Sequence, residues 1–260
     1  MIPLALKVTL VLFSAIVFRG AHKPPNSILH GPRPPKNATP AEKRDWIFNH
    51  YGPPLSSFQR KVCYIITIFE SIFLLRTQYP VFNQLLPVKF DGKTSSYSSS
   101  DARFFALAFG IASDLLRISC QRRLGSSFTW HIAGLRHGTE DDSDETAGPR
   151  AEEKQTKQKL ITTGPYSIVR HPSYTAFWMS LIGITTYHLL PGSFVRESGI
   201  VSETTVGKVV LGVWIISCIW ISTFLALRID TEDETLRTTF GKEWEMWRKQ
   251  VPWRTIPGVW

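Results

Sequence analysis

Apolar residues are concentrated in five blocks of the chain, and polar stretches separate them. The blocks span residues 2–18, 62–79, 102–119, 174–190 and 206–227. A bilayer-spanning helix needs about 20 largely apolar residues, and each block meets or approaches that length. The pattern predicts an all-α integral membrane protein with about five transmembrane helices. The first block could instead be a secretory signal, but Lys7 lies inside it and no small-residue cleavage site follows, so we favour a retained helix.

Basic residues are unevenly distributed between the connections. Lys and Arg are frequent in residues 19–61, in the third connection and in the tail, and they are sparse in residues 81–101 and 191–205. Because cytoplasmic loops carry an excess of Lys and Arg, this alternation predicts a lumenal N-terminus and a cytosolic tail. Contact with lipid headgroups accounts for the net charge of +9 without any nucleic-acid partner.

Three cysteines and several charges lie in or beside the apolar blocks. The cysteines have no metal-ligand spacing, so we expect buried thiols and neither a metal site nor disulfides. Charges inside a membrane are functional candidates. Asp114 and Arg117 are three residues apart and could pair within one helix, or Arg117 could extend to the interface. Glu70 has no evident partner in the sequence.

The connections between the blocks differ in composition. Residues 22–54 are rich in proline and are predicted to form an extended, irregular connector. Residues 128–132 have strand-like composition and could pair with residues 159–162 as a small hairpin. Residues 137–158 are strongly charged and resemble a flexible acidic insertion.

A turn followed by a helix start precedes the fourth block, in the sequence GPYSIVRHPSY at residues 164–174. Gly164-Pro165 is a strong turn signal. Pro172 is well suited to the first position of a helix, so a helix is predicted to begin there. A helix N-terminus is an anion site, and Arg170 and His171 lie beside it. The alternative is that this Arg-His pair only anchors the helix to lipid headgroups.

The tail begins where the fifth block ends. Thr231 and Glu234 have the spacing of a capping box, which predicts a new helix starting there. Apolar residues then recur every three or four positions, which is typical of an amphipathic helix lying on the membrane. They are Leu236, Phe240, Trp244, Trp247 and Val251. This stripe does not explain Arg228 and Glu232, which lie one helical turn apart on a polar face.

Three motifs in this order resemble the isoprenylcysteine carboxyl methyltransferase family. They are LLRISCQRRLGSSFT at residues 115–129, ITTGPYSIVRHPSY at residues 161–174, and the tail motif from Arg228 and Glu232 through Phe240-Gly241 and Glu243-Trp244 to Val251-Pro252. The resemblance covers residues 115–257 apart from the acidic insertion. It implies an N-terminal transmembrane region at residues 1–114 and a catalytic region at residues 115–260.

That family consists of endoplasmic-reticulum membrane enzymes that use S-adenosylmethionine to methylate the C-terminal carboxylate of a prenylated cysteine. The resemblance implies a small cytosolic cap, made of the hairpin and the C-terminal amphipathic helices, that binds the cofactor. The implied cofactor contacts are Gln158, Lys159, Leu160, Ile161, Tyr166, His171, Pro172, Ser173, Tyr174 and Glu232. Arg228 and Glu232 would be catalytic, with Arg228 binding the substrate carboxylate, and membrane lipids would surround the protein.

The chemistry of the residues agrees with this resemblance. A carboxylic acid with a pKa of roughly 3.3–3.7 is ionised at neutral pH, so it needs no general base to attack a methyl sulfonium. The site has to align the reacting groups and exclude water. Arg228 can hold a carboxylate by a two-point fork, and Glu232 suits the ammonium group of the cofactor.

The chain departs from the family pattern at several positions. Ala176 replaces a usual glycine, and Asp233 replaces a usual second glutamate. These departures leave the substrate open between a prenylated cysteine and a small lipophilic acid such as an isoprenoid or polyketide acid. Two further functions remain alternatives, namely an NADPH-dependent membrane reductase of the sterol type and a membrane adaptor without enzymatic activity.

Overall fold

The computed structural model describes residues 2–23, 34–86, 101–125 and 159–260, with the side chains of residues 101 and 102 left out. The α-helices are α1 (Leu4–His22), α2 (Pro40–Leu75), α3 (Asp101–Leu124), α4 (Pro172–Leu189), α5 (Phe194–Glu197), α6 (Ile200–Glu203), α7 (Thr205–Phe240) and α8 (Lys242–Gln250). Two short 3-10 helices span Pro80–Leu85 and Gly164–Ser167. Within these residues no strand occurs, and the all-α prediction is confirmed for them.

Three helices of the described residues are long and apolar enough to cross a membrane. They are Leu4–His22, Arg103–Leu124 within α3, and Thr205–Phe240. This is the composition of a multi-pass membrane protein. The other two apolar blocks also fall largely on helices, α2 and α4, but charges in α2 and polar residues in α4 lower their hydropathy. The number of five spans stays a prediction.

The Pro-rich connector was predicted to be extended, and that prediction is wrong for residues 40–54. Helix α2 begins at Pro40 and continues to Leu75. Its start is fixed by a reciprocal capping box, in which Glu42 Oε2 accepts the backbone N–H of Thr39 at 2.7 Å and Thr39 Oγ1 accepts the N–H of Glu42 at 3.3 Å. Proline at the first helical position does not destabilise the helix, because a backbone N–H at this position would have no partner within the helix.

The predicted helix start at Thr231 is also wrong. Helix α7 is continuous from Thr205 to Phe240, so Arg228 and Glu232 lie inside the same helix as the last apolar block. The chain breaks later, at Gly241, whose φ of +52° suits glycine. The sequence changes from apolar to polar near Arg228, but this change does not end the helix.

The predicted hairpin has no confirmation. Residues 128–132, and the acidic insertion at 137–158, lie outside the described residues. The predicted partner segment 159–162 is described, and it has no regular secondary structure.

The chain divides into two compact units, each made of three stretches. The first contains Met1–Lys23, Pro54–Ser119 and Ser173–Ser222. Helices α3 and α4 lie very close together in this unit. A Cβ atom added to Gly183 would lie 2.6 Å from the backbone nitrogen of Gly110 and 2.8 Å from the carbonyl oxygen of Ala106. Glycine at position 183 therefore permits this helix contact.

Glu70, which had no evident partner in the sequence, has three partners in the first unit. Arg103 donates to its Oε1 at 2.6 Å and the Tyr187 hydroxyl donates to the same oxygen at 3.2 Å. The backbone N–H of Phe194 donates to Oε2 at 2.7 Å. A buried carboxylate needs such partners, and these come from residues at least 33 positions away in sequence.

The two charges of α3 also contact neighbouring helices. Asp114 accepts a hydrogen bond from Ser180 at 2.6 Å and lies 3.3 Å from Nε2 of His22. Arg117 donates to the carbonyl oxygens of Ala21 at 2.8 Å and Ser173 at 2.7 Å. Arg117 is buried, so the prediction that it extends to the interface is wrong. The predicted pairing within α3 receives no support from these contacts.

The second unit contains Pro24–Pro53, Cys120–Pro172 and Thr223–Trp260. The tail stripe that was predicted to lie on the membrane contributes to the interior of this unit. Trp244, Trp247 and Val251 are buried, and Nε1 of Trp247 donates to the carbonyl oxygen of Tyr166 at 3.1 Å. The membrane-surface interpretation is therefore wrong for these three residues. The charged residues of the same segment are exposed, namely Lys242, Glu243, Arg248 and Lys249.

Candidate functional site

The segment that leads into α4 begins with the predicted turn at Gly164. This glycine has a φ of +66°, and the 3-10 helix Gly164–Ser167 follows directly. The guanidinium of Arg123 packs over it, so that an added Cβ atom would lie 2.4 Å from Cζ of Arg123. Two of the three sequence motifs therefore meet at this turn, and the turn prediction is confirmed.

His171 lies immediately before Pro172, which begins α4 as predicted. Its ring contacts two consecutive acids of α7. Nε2 lies 3.0 Å from Oδ1 of Asp233, and Nδ1 lies 3.5 Å from Oε2 of Glu232. Burial by itself would lower the pKa of His171, but the hydrogen bonds and negative charges of Asp233 and Glu232 outweigh burial and raise the pKa to about 9. His171 is therefore an imidazolium at neutral pH.

Arg170 is fully engaged by the protein. Its Nη2 and Nε donate to the two oxygens of Asp233 at 2.8 and 3.3 Å. Its Nη1 donates to the carbonyl oxygens of Val251 at 3.1 Å and Pro252 at 2.6 Å. A guanidinium has five N–H donors, and four of them are used in these contacts. Arg170 is thus a structural cation and has little capacity left for a ligand.

The chain after α8 completes this cluster. The backbone N–H of Arg170 donates to the carbonyl oxygen of Trp253 at 2.9 Å, and that of His171 donates to the carbonyl oxygen of Arg254 at 2.7 Å. The Arg254 side chain lies 2.8 Å from Asp230 and 3.6 Å from Asp233. The segment before α4 is therefore held by α7 through side chains and by residues 251–254 through its backbone.

Arg228 and Glu232 are one turn apart on α7 and form an ion pair, with Nη2 3.3 Å from Oε1. The Nη1 atom of Arg228 lies 3.5 Å from Oδ1 of Asp45 on α2. The guanidinium also lies over the ring of Phe48, 4.9 Å from its centroid. Both ion-pair distances exceed the 2.7–2.9 Å of a tight charge-assisted hydrogen bond. The 3.3 Å ion pair of Arg228 with Glu232 is longer than the 2.8 Å ion pair of Arg170 with Asp233, although the two arginines are equally buried.

The structure brings some of the predicted site residues together in the second unit. His171, Arg228 and Glu232 form the cluster just described, Pro172 follows His171, and Tyr166 is buried with its carbonyl oxygen bonded to Trp247. Leu160 is buried, Ile161 is half-buried and Lys159 is exposed. Gln158 lies outside the described residues.

Ser173 and Tyr174 open α4 and belong to the first unit. Ser173 accepts hydrogen bonds from Arg117 at its carbonyl oxygen, 2.7 Å away, and at its hydroxyl, 3.2 Å away. Tyr174 is half-buried. Their predicted contact with a cofactor stays a prediction.

Sequence reasoning missed three members of the cluster. Asp45 was overlooked, because it lies in a stretch that was predicted to be an irregular connector. Asp233 was noticed only as a departure from a family pattern, and Arg254 was not noticed at all. An acid in the first turns of a capped helix, three residues before Phe48, was the available signal for Asp45.

Comparison with known proteins supports one family resemblance. No family model matches the chain, and no solved structure matches it. The protein-S-isoprenylcysteine O-methyltransferase of Schizosaccharomyces pombe is 31% identical over 147 residues, which are 56% of this chain and 46% of that protein. The protein of the same name from Dictyostelium discoideum is 29% identical over 109 residues, 42% of this chain and 37% of that protein. The chain resembles isoprenylcysteine methyltransferases, as its motifs predicted.

Sterol reductases match the chain as well, over 40% of its length. The Delta(14)-sterol reductase of Neurospora crassa is 28% identical over 120 residues, which are 40% of this chain and 24% of that protein. The chain spans less than half of the length of each of these curated relatives.

Proposed function

We propose that this protein is a membrane-bound methyltransferase that transfers the methyl group of S-adenosylmethionine to the carboxylate of a lipophilic acid. The C-terminal carboxylate of a prenylated cysteine is the first substrate class to test. A small isoprenoid or polyketide acid is the second. The site would face the cytosol from the endoplasmic-reticulum membrane, with membrane lipids around the spans.

One observation carries the proposal. The chain resembles two proteins named isoprenylcysteine methyltransferases, and Arg228, Glu232 and His171, which the motifs singled out, lie in one cluster. The observation is thus that residues of the resembling motifs, although distant in sequence, meet in one cluster. This observation supports a methyltransferase.

The chemistry of the cluster fits S-adenosylmethionine. Glu232 is 23% exposed, whereas the side chains of Arg228, His171 and Asp45 are at most 6% exposed. Glu232 is therefore more accessible to an ammonium group than Asp233 and Asp45, whose side chains are 9% and 0% exposed. When bound, S-adenosylmethionine would supply an electrophilic methyl group on a sulfonium sulfur.

Arg228 is the cation best suited to the substrate acid. The guanidinium of Arg170 is already bonded to Asp233 and to two carbonyl oxygens. Arg228 makes longer ion pairs, at 3.3 and 3.5 Å, which a competing carboxylate can displace. A guanidinium can bind both oxygens of a carboxylate and so orient it. Arg228 would align the nucleophilic oxygen, which is a large part of what this reaction requires.

His171 has no role as a base in this proposal. Its pKa of about 9 keeps it protonated at neutral pH. An ionised carboxylate nucleophile needs no proton removed. The positive charge of His171 instead orients Glu232 and Asp233. A protonated His171 suits methyl transfer to a carboxylate better than methylation of an alcohol, which requires the removal of a proton.

The first alternative is an NADPH-dependent reductase, since sterol reductases also resemble the chain. The second is an adaptor without activity. Titration of the purified full chain in nanodiscs with S-adenosylmethionine and, separately, with NADPH distinguishes the three. We expect binding of S-adenosylmethionine and methyl ester formation on a panel of prenylcysteine analogues and lipophilic acids. Binding of NADPH alone, or of neither compound, contradicts the proposed function.

A further inference from the structure

Asp45 lies beside the guanidinium of Arg228, and it comes from a part of the chain outside the three sequence motifs. Its Oδ1 lies 3.5 Å from Nη1 of Arg228, and its side chain is fully buried. A buried carboxylate is costly unless it is paired. Arg228 is a charged group close enough to pair with it.

The position of Asp45 is itself fixed. The side-chain amide of Asn49, one turn further along α2, donates to Oδ2 of Asp45 at 2.9 Å and to its backbone carbonyl oxygen at 2.8 Å. These bonds hold the carboxylate with Oδ1 directed to Arg228. The carboxylate is therefore oriented by its own helix before any ligand is considered.

At least three groups surround the guanidinium of Arg228. Asp45 lies at Nη1, Glu232 lies at Nη2 at 3.3 Å, and the ring of Phe48 lies against the face, 4.9 Å from its centroid. Contacts at both Nη atoms restrict the orientation of the planar guanidinium more than a contact at one of them does. Two of the three groups belong to α2.

We propose that Asp45 is a positioning residue. It orients the guanidinium of Arg228, and the guanidinium in turn fixes the orientation of the substrate carboxylate. Asp45 acts through Arg228 and does not contact the reacting atoms. This inference rests on the proposed function, because Arg228 is the group assigned to the substrate carboxylate. It adds a site residue that the family resemblance does not supply.

The kinetic test uses Asp45→Asn, which keeps the shape of the side chain and removes its charge. Displacement of reacting groups by about 1 Å can reduce a rate roughly a hundredfold. We expect kcat for the acid substrate to fall roughly tenfold to a hundredfold, while the KM for S-adenosylmethionine is unchanged. Glu42→Gln on the same helix is the control, because Glu42 is half-buried, bonds to Thr39, and can keep this capping role as glutamine. We expect it to retain full kcat.

A double-mutant cycle separates positioning from general structural damage. If Asp45 acts through Arg228, then Asp45→Asn has no further effect on kcat in an Arg228→Ala background. An equal reduction of kcat in both backgrounds overturns the inference. So does an Asp45→Asn variant that retains full kcat.

The same four proteins give a second result that requires no substrate. Their thermal unfolding temperatures in detergent should show coupling between positions 45 and 228, with the double variant losing less than the sum of the single variants. Independent, additive losses contradict the Asp45–Arg228 contact itself. A wild-type chain that transfers no methyl group overturns the proposed function. A wild-type chain that does so, with Asp45→Asn equally active, overturns the positioning role alone.

Discussion

Arg170 and Asp233 form a two-point ion pair, in which Nη2 and Nε of the guanidinium meet the two carboxylate oxygens at 2.8 and 3.3 Å. Asp233 also accepts a hydrogen bond from His171 at 3.0 Å. One carboxylate of α7 therefore holds both cations of the segment before α4. This relationship makes Asp233 the structural centre of the cluster, whereas Glu232 is its more exposed neighbour.

Asp233→Asn should lower the stability of the second unit markedly. The change leaves Arg170 and His171 without the negative charge that pairs with both of them. Removal of one partner of a buried ion pair costs about 3–5 kcal/mol. We expect a clear fall in the thermal unfolding temperature of the full chain in detergent.

Glu234→Gln is the control for this change. Glu234 is the next residue of α7, its side chain is 64% exposed, and it lies 3.7 Å from Arg237. Exposed pairs contribute at most about 1 kcal/mol, so its unfolding temperature should stay close to that of the wild type. Equal unfolding temperatures for the two variants would contradict the central role of Asp233.

Stability should depend on pH through His171. Its pKa is raised from 6.5 to about 9 in the folded chain, so folding favours the protonated form. This contribution is fully present below pH 6.5 and is lost as the pH rises through about 9. Thermal unfolding of the wild type and of His171→Gln, measured between these limits and above them, gives the check. The stability difference between the two proteins should shrink across this range, and a constant difference would exclude a charged His171.

Gly164→Ala should destabilise the turn before α4. A φ of +66° costs a residue with a Cβ atom about 1–2 kcal/mol, and the new methyl group would also meet the guanidinium of Arg123. The double variant with Arg123→Ala removes the clash with the guanidinium but keeps the unfavourable φ at position 164. We expect partial recovery of the unfolding temperature in the double variant. Full recovery would mean that backbone conformation contributes nothing.

Gly183→Ala should destabilise the first unit, because the added Cβ atom would lie 2.6 Å from the backbone of Gly110. Overpacking of this kind costs about 1–3 kcal/mol. Gly212→Ala on α7 is the matched control, since an added Cβ atom there meets nothing within 4 Å. Alanine is favoured over glycine in a helix by about 1 kcal/mol, so the control should be neutral or stabilising. Similar losses in both variants would argue against close packing of α3 and α4.

Substitution of Arg228 and of Glu232, the two residues assigned to catalysis, should impair different steps. Arg228→Ala should impair use of the acid substrate while binding of S-adenosylmethionine is largely retained, because the guanidinium is assigned to the acid. Glu232→Ala should weaken binding of S-adenosylmethionine first. Binding titrations and methyl-ester assays on both variants give the comparison. Normal methylation by both variants would show that the roles are assigned wrongly.

Features that depend on local sequence could be predicted. The turn at Gly164 and the helix start at Pro172 follow from the backbone preferences of glycine and proline. The Arg228–Glu232 pair follows from a four-residue spacing on a helix. These arrangements involve residues within a few positions of each other, so a pattern in the sequence is enough to reveal them.

Features that depend on the meeting of distant segments could not be predicted. Asp233 meets Arg170 across 63 positions of the chain, and Glu70 meets Tyr187 across 117. The amphipathic stripe of the tail was read correctly as a stripe, but periodicity cannot tell whether protein or lipid covers it. In the structure Trp244 and Trp247 face the protein.

The two backbone hydrogen bonds from Arg170 and His171 to Trp253 and Arg254 have a consequence for biosynthesis. A chain emerges from the ribosome with its N-terminal parts first, so α4 is made well before its backbone partners exist. Until residue 254 has been translated, the backbone N–H groups of Arg170 and His171 must bond to water or to other partners. Completion of the cluster therefore cannot precede translation of residue 254, and chains that end before it would lack these two bonds even though all their apolar helices have been made.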